Sequence, residues 1–246
     1  MRLAILSDIH GNLVALNAVL DDLAGDRVDR FLCLGDVAMG GPQPRECLQR
    51  LRELDCTVVM GNTDHDLLHE PETGLPDWLA ELVRWNQGLL TPEDRAYIGS
   101  FAPTVRLDLD EGVDLLAYHA SPRSRTEFLR SITSAEELRE MLGSERARVM
   151  AGGHTHQPML RRFDQSLLIN PGSVGLGWER RESLDRNIPW AEYALLSVRY
   201  GQPCVEFRRV PYDLDALRRA TLAVEMVHAE TWLSRWTTGS PARLPQ

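Results

Sequence analysis

The chain has no lysine. All 27 basic residues among its 246 are arginine, set against 36 acidic ones for a net charge of −9. An acidic chain without a basic face is unsuited to non-specific nucleic-acid binding, so no nucleic-acid partner is expected. No apolar run approaches the roughly 18–20 residues a membrane helix needs, and no membrane association is expected. The N-terminal run Leu3-Ala4-Ile5-Leu6 is too short for a signal peptide. The four cysteines (Cys33, Cys47, Cys56, Cys204) form no close pair. Cys33 and Cys56 lie in apolar runs, which suits reduced thiols in a cytoplasmic protein. Repeats and low-complexity linkers are also missing, so one domain over residues 1–246 is expected. Its 43% of hydrophobic residues is enough for a sizeable core.

Apolar periodicity divides the chain. Arg2–Ser7, Phe31–Leu34 and Thr57–Met60 read as short buried strands. Leu13–Leu23 and Pro42–Leu54 between them read as helices. Strand and helix in alternation indicate a parallel α/β sheet, read at this level as doubly wound. Residues 67–102 read as a helical insertion, with Trp78 and Trp85 on one face and Thr91-Pro92-Glu93-Asp94 as a helix start. Thr104–Leu109 and Val113–Tyr118 form a hairpin pattern around Asp110-Glu111-Gly112. Ser134-Ala135-Glu136-Glu137 is a capping box opening a helix to about Leu142. Further strands are expected at Val149–Ala151, Pro158–Phe163, Leu167–Ile169, Tyr193–Val198 and Val205–Val210. A long helix over 213–233, capped by Asp213, and a flexible tail over 237–246 complete the reading.

The chemistry-bearing residues follow the strands. The first strand ends in Ser7-Asp8-Ile9-His10-Gly11-Asn12, the second in Gly35-Asp36, and the third in Gly61-Asn62-Thr63-Asp64. Val113–Tyr118 runs into His119, and Val149–Ala151 runs into Gly152-Gly153-His154-Thr155-His156. Ligands in open α/β sheets bind beyond the carboxyl ends of strands, so these side chains are expected on one rim. Each motif alone would read as a turn or a capped helix start. Together, two Asp, one Asn and four His make a mixed oxygen and nitrogen set. Such a set suits Mn, Fe, Zn or Ni and not Ca.

In order, Asp8-x-His10, Gly35-Asp36, Gly61-Asn62, His119 and Gly153-His154-x-His156 resemble the motifs of calcineurin-like metallophosphoesterases. The small bacterial and archaeal phosphodiesterase branch is nearest in size and wording. The resemblance spans about Met1 to Val174, including Asn170-Pro171-Gly172-Ser173. It implies a four-layer α/β/β/α sandwich of two mixed sheets flanked by helices. It also implies two divalent metal ions. Asp8, His10 and His156 would hold the first, and Asn62, His119 and His154 the second, with Asp36 bridging. The implied activity is that of a dinuclear phosphohydrolase, chiefly a phosphodiesterase using metal-activated hydroxide on a small phosphorylated substrate, with manganese as a candidate metal.

Catalytic roles are then expected for Asp36, Asn62, Thr63 and Asp64, and substrate contacts for Asn12 and Arg123, with Arg125 beside it. The chain departs from the pattern at Thr63, where many relatives carry a proton-donating His. A hydroxyl is no acid near pH 7, and His65, two positions on, is the nearest substitute. The alternatives are a phosphomonoesterase or nucleotidase, and a metal-binding regulatory protein whose catalysis has decayed.

Overall fold

A computed structural model describes residues 1–71, 74–181 and 184–236. The expected tail, 237–246, lies outside the described residues. The first sheet contains β1 (Arg2–Leu6), β2 (Arg30–Cys33), β3 (Thr57–Val58), β11 (Trp190–Arg199) and β12 (Gln202–Pro211), in the order β12-β11-β1-β2-β3. The second contains β4 (Thr104–Asp108), β5 (Asp114–Tyr118), β6 (Val149–Ala151), β7 (Met159–Phe163) and β8 (Ser166–Asn170), in the order β4-β5-β6-β8-β7. Both are mixed. β1, β2 and β3 run parallel, as do β5, β6 and β8, while β11, β12, β4 and β7 pair antiparallel.

The strand alternation of period two divides the core. Leu3 and Ile5 of β1 face Leu115, Ala117, Val149 and Ala151 of the second sheet. Ala4 and Leu6 face the other way, onto the helices α1 (Leu13–Leu23) and α2 (Pro44–Glu53). Leu116, Tyr118 and Met150 turn outward onto α6 (Ala135–Leu142). The result is helix, sheet, sheet, helix. A doubly wound sheet would carry helices on both faces. Here α1 and α2 share one face because β1, β2 and β3 follow in order with crossovers of one hand, and the second sheet covers the other face.

Within the 67–102 segment lie two helices, α4 (Asp77–Leu89) and α5 (Pro92–Gly99), which follow the short α3 (Asn62–Asp66). Thr91 and Asp94 form the capping box of α5. The single C-terminal helix expected over 213–233 is corrected to two, α7 (Leu214–Ala223) and α8 (Ala229–Leu233). Glu225 and His228 between them adopt φ of 49° and 55°, which ends α-helical hydrogen bonding. The break lets Trp232 and Trp236 fold back into the core, where the Trp236 indole N–H donates to the Tyr212 hydroxyl at 2.9 Å. A two-stranded hairpin, β9 (Trp178–Arg181) and β10 (Leu184–Asn187), was not anticipated. Its arginine- and glutamate-rich sequence lacks an apolar run. No described helix is long and apolar enough to cross a membrane.

Candidate metal centre

The segments after β1, β2, β3, β5 and β6 meet on one rim, laced by backbone bonds. The Asp8 and His10 amides donate to the Gly35 and Asp36 carbonyls at 3.0 and 2.9 Å, and the Gly153 amide donates to the His119 carbonyl at 2.7 Å. The backbone there is unusual. Asp8, His10, Asp36, His154 and His156 all have φ between 49° and 65°. L-residues avoid this left-handed region at a cost on the order of 1 kcal/mol each, so its concentration at one rim marks a site where geometry outranks local stability. Two glycines make the crowding possible. A Cβ on Gly61 would lie 2.1 Å from Asp36 Oδ1, and one on Gly153 would lie 2.0 Å from Ser7 Oγ.

Two groups of side chains converge, Asp8 with His10 and His156, and Asp36 with His119 and His154, each with ligand atoms within 4.8 Å of one another. Their hydrogen bonds fix which atoms are free. Nδ1–H of His10, His119 and His156 donates to the carbonyls of Met39, Leu34 and Leu176 at 2.8, 2.7 and 3.0 Å. In each neutral ring Nε2 is then a lone pair. Yet Nε2 of His10 and Nε2 of His156 are 3.1 Å apart, and His119 Nε2 is 3.0 Å from Asn62 Oδ1. When Nε2 carries no proton, acceptors that close together are arranged for a cation. The same holds for two buried atoms with no hydrogen-bond partner, Asp8 Oδ1 and His154 Nε2. The other Asp8 oxygen is occupied by the Ser7 hydroxyl at 2.6 Å and the His154 amide at 3.1 Å. This donor set fits divalent metal ions.

Asp36 stands between the groups. Its Oδ2 lies 3.7 Å from His10 Nε2 and its Oδ1 3.5 Å from His119 Nε2. The Thr63 amide steadies Oδ1 at 2.9 Å. Burial alone would raise the Asp8 carboxyl, but the neighbouring His156 outweighs it and holds the group below the usual range. Burial opposes charge on His119 and His156, yet the carboxylates of Asp36 and Asp8 raise both. Burial keeps His10 and His154 below the ordinary value, ready as neutral ligands.

Other expected site residues stand elsewhere. Asp64 is fully buried. Its carboxylate accepts from the amides of Asp36, Val37 and Gly61 at 2.7, 2.8 and 3.2 Å, which holds the turn that carries Asp36. Burial and the negative charge of Asp36 push it up to about 7. Asn12 is a correction. It is fully buried, with Oδ1 capping α1 at the Ala15 amide and Nδ2 donating to the Gly175 carbonyl, and no part of it is open to a substrate. The Arg123 guanidinium is exposed and pairs with Glu127 at 2.6 Å. The His65 ring stacks on His69 with centroids 4.0 Å apart and joins neither group. Thr63 is buried beside Asp36, and its hydroxyl has no hydrogen-bond partner.

A sequence profile of the Calcineurin-like phosphoesterase superfamily domain matches residues 1–189. The chain is 28% identical over 190 residues to the phosphodiesterase YfcE of Escherichia coli K12, covering 72% of this chain and 80% of that protein. A crystal structure of a metallophosphoesterase from Sphaerobacter thermophilus is similar at a TM-score of 0.74 and 28% identity, over 96% of this chain and 97% of the other. A hypothetical protein from Pyrococcus horikoshii OT3 shares the fold at a TM-score of 0.80 and 19% identity, over 98% and 99% of the two chains.

Proposed function

Because the chain belongs to the calcineurin-like phosphoesterase superfamily and is therefore a metal-dependent phosphoester hydrolase, we propose that it cleaves phosphodiesters at a centre of two divalent cations. Asp8, His10 and His156 would hold one cation and Asn62, His119 and His154 the other, with Asp36 shared between them. The placement of the Asp36 carboxylate carries this reading, with one oxygen toward His10 and the other toward His119. Two adjacent dications repel strongly, and an anionic bridge is what offsets that. Manganese is among the ions that suit the mixed donor set. The whole chain acts as one domain, since β11 and β12 extend the first sheet from β1, and the buried thiols of Cys33 and Cys56 suit the cytoplasm.

Bound there, the ions supply Lewis acidity toward phosphoryl oxygens and acidify water. The protein's own groups do the rest. The Nδ1–H bonds to carbonyls lock three imidazoles in the tautomer that offers Nε2. Ser7 and the His154 amide hold one Asp8 oxygen so that the other points into the centre. Asp64 fixes the turn on which Asp36 sits. The unpartnered Thr63 hydroxyl can donate a hydrogen bond to a phosphoryl or leaving-group oxygen but is too weak an acid to protonate a poor leaving group at neutral pH. A diester carries two organic groups, and the wide cleft beside His154 and His156 leaves room for the second.

The test is turnover of bis(p-nitrophenyl) phosphate against p-nitrophenyl phosphate, with manganese and with chelator. The diester should be hydrolysed faster, and chelation should abolish the reaction. Faster monoester cleavage would instead mean a phosphomonoesterase. No turnover of either ester by metal-loaded protein would mean a regulatory protein.

A further inference from the structure

A cleft of about 910 Å³ opens beside His154 and His156. Its walls come from the 120s loop, the β9–β10 hairpin and the segment after α8, so Arg235 lies beyond the residues 1–189 that match the superfamily. Two aromatic rings stand in it. Trp178 is held by its indole N–H, which donates at 3.3 Å to the carbonyl of Thr155, between the two histidines. Phe128 packs its ring 4.8 Å from that of His154 and remains 52% exposed. That leaves an aromatic face open to the cleft beside the candidate metal centre. Arg130 lies 4.8 Å over Phe128. Among the described residues, neither Arg130 nor Arg235 has a carboxylate partner, whereas Glu179 on the same wall is paired with Arg209 at 2.5 Å. Desolvation lowers the pKa of Arg235, and no carboxylate among the described residues offsets it. Asn187 is 95% buried on the same wall, and its Nδ2 has no hydrogen-bond partner. Its backbone amide donates to the Arg235 carbonyl at 2.9 Å, which joins the hairpin to the segment after α8, and both residues line the cleft.

Flat π faces stack planar rings, unpaired guanidiniums bind phosphate, and a dry amide donor reads a heteroatom edge. We propose that this cleft selects phosphodiesters in which one organic group is a nucleotide. Its base stacks on Trp178 and Phe128, and its further phosphate pairs with Arg130 and Arg235. The proposal rests on the phosphodiesterase reading for its catalytic consequence, but not for binding. A lipid-type alkyl diester would use neither the rings nor the amide.

The test has two arms. In the first, three esters share nitrophenolate as leaving group: ethyl p-nitrophenyl phosphate, thymidine 5′-(p-nitrophenyl phosphate), and the latter carrying a 3′-phosphate. With manganese present, kcat/KM should rise along that series, by about tenfold at each step and chiefly through KM. Trp178→Leu should erase the first step, Arg235→Met the second, and Trp178→Phe should retain most of the first. In the second arm, AMP is titrated into chelator-treated protein and followed by tryptophan fluorescence. Saturable quenching is expected in the wild type, absent in Trp178→Leu and about tenfold weaker in Arg235→Met. Equal kcat/KM for the ethyl and thymidine esters, or AMP binding indifferent to both variants, would overturn the proposal. Failure to hydrolyse any of the three esters would sink the phosphodiesterase reading, and the AMP titration would still decide the cleft.

Discussion

The metal rim and the cleft wall beside it are built on opposite plans. On the rim, most polar atoms that do not point into the centre are occupied. Three imidazole Nδ1–H groups are bound to carbonyls, one Asp8 oxygen is held by Ser7, and Asp64 accepts three amides. On the wall, Asn187 Nδ2 has no partner, and among the described residues the guanidiniums of Arg130 and Arg235 have no carboxylate. The first plan leaves one orientation per side chain and stores strain in left-handed backbone. The second leaves donors open for a ligand to satisfy. Chemistry common to a superfamily needs the former, and choice among substrates needs the latter.

Substitutions on the rim should therefore have the larger effects. Asp36→Asn removes the charge that lies between the two groups. We expect turnover of an aryl diester to fall by about 10³-fold or more, and by more than for His10→Ala, which touches one group. Turnover near the wild-type level in Asp36→Asn would collapse the rim account. Gly61→Ala places a methyl 2.1 Å from Asp36 Oδ1 and must move that carboxylate. A loss of about 10²-fold is expected, with the fold intact by circular dichroism. The wall variants should differ in kind, with Trp178→Leu changing KM for nucleotidyl esters while leaving metal content intact.

Much of the rim was legible in the sequence, and little of the wall. Asp8, His10, Asp36, Asn62, His119, His154 and His156 each follow an apolar run and sit beside glycine or at a strand end, and the structure brings all seven together. What the sequence concealed was the division of labour around them. Asp64 looked like a reacting carboxylate because spacing does not reveal that three amides surround it. Asn12 looked like a substrate contact because its motif is shared by ordinary helix caps, and capping is its task here. The wall escaped notice because Trp178–Asn187 has no hydrophobic period and Phe128 and Arg235 belong to no motif. Tertiary packing alone brings them to His154.

Thr63 lies where rim and leaving group meet, and replacing it sharpens the comparison. With no acid at that position, the rate should depend steeply on leaving-group pKa. Thr63→His should flatten the slope, with a gain of about tenfold for alkyl esters. Equal slopes in the two proteins, with equal metal content, would show that residue 63 does not face the leaving group. Glu192 provides the smallest effect and belongs to neither region. Burial raises it to about 7 despite Arg209 nearby. A carboxyl raised above its unfolded value keeps its proton longer in the folded state. Stability should therefore fall as pH climbs from the unfolded value toward 7 and level off above it. Glu192→Gln should remove that fall, with a gain on the order of 1–2 kcal/mol at pH 8 and little at pH 4 by urea unfolding. An unchanged pH dependence would show that Glu192 is ionised in the folded protein at neutral pH.

The central claim is that lone pairs on the rim face one another because two cations belong between them. Calorimetric titration of manganese into chelator-stripped wild-type protein, with elemental analysis of the saturated product, tests it most directly. The account predicts two ions per chain, reduced in Asp36→Asn. A wild-type protein that takes up one ion or none at saturating manganese would contradict it.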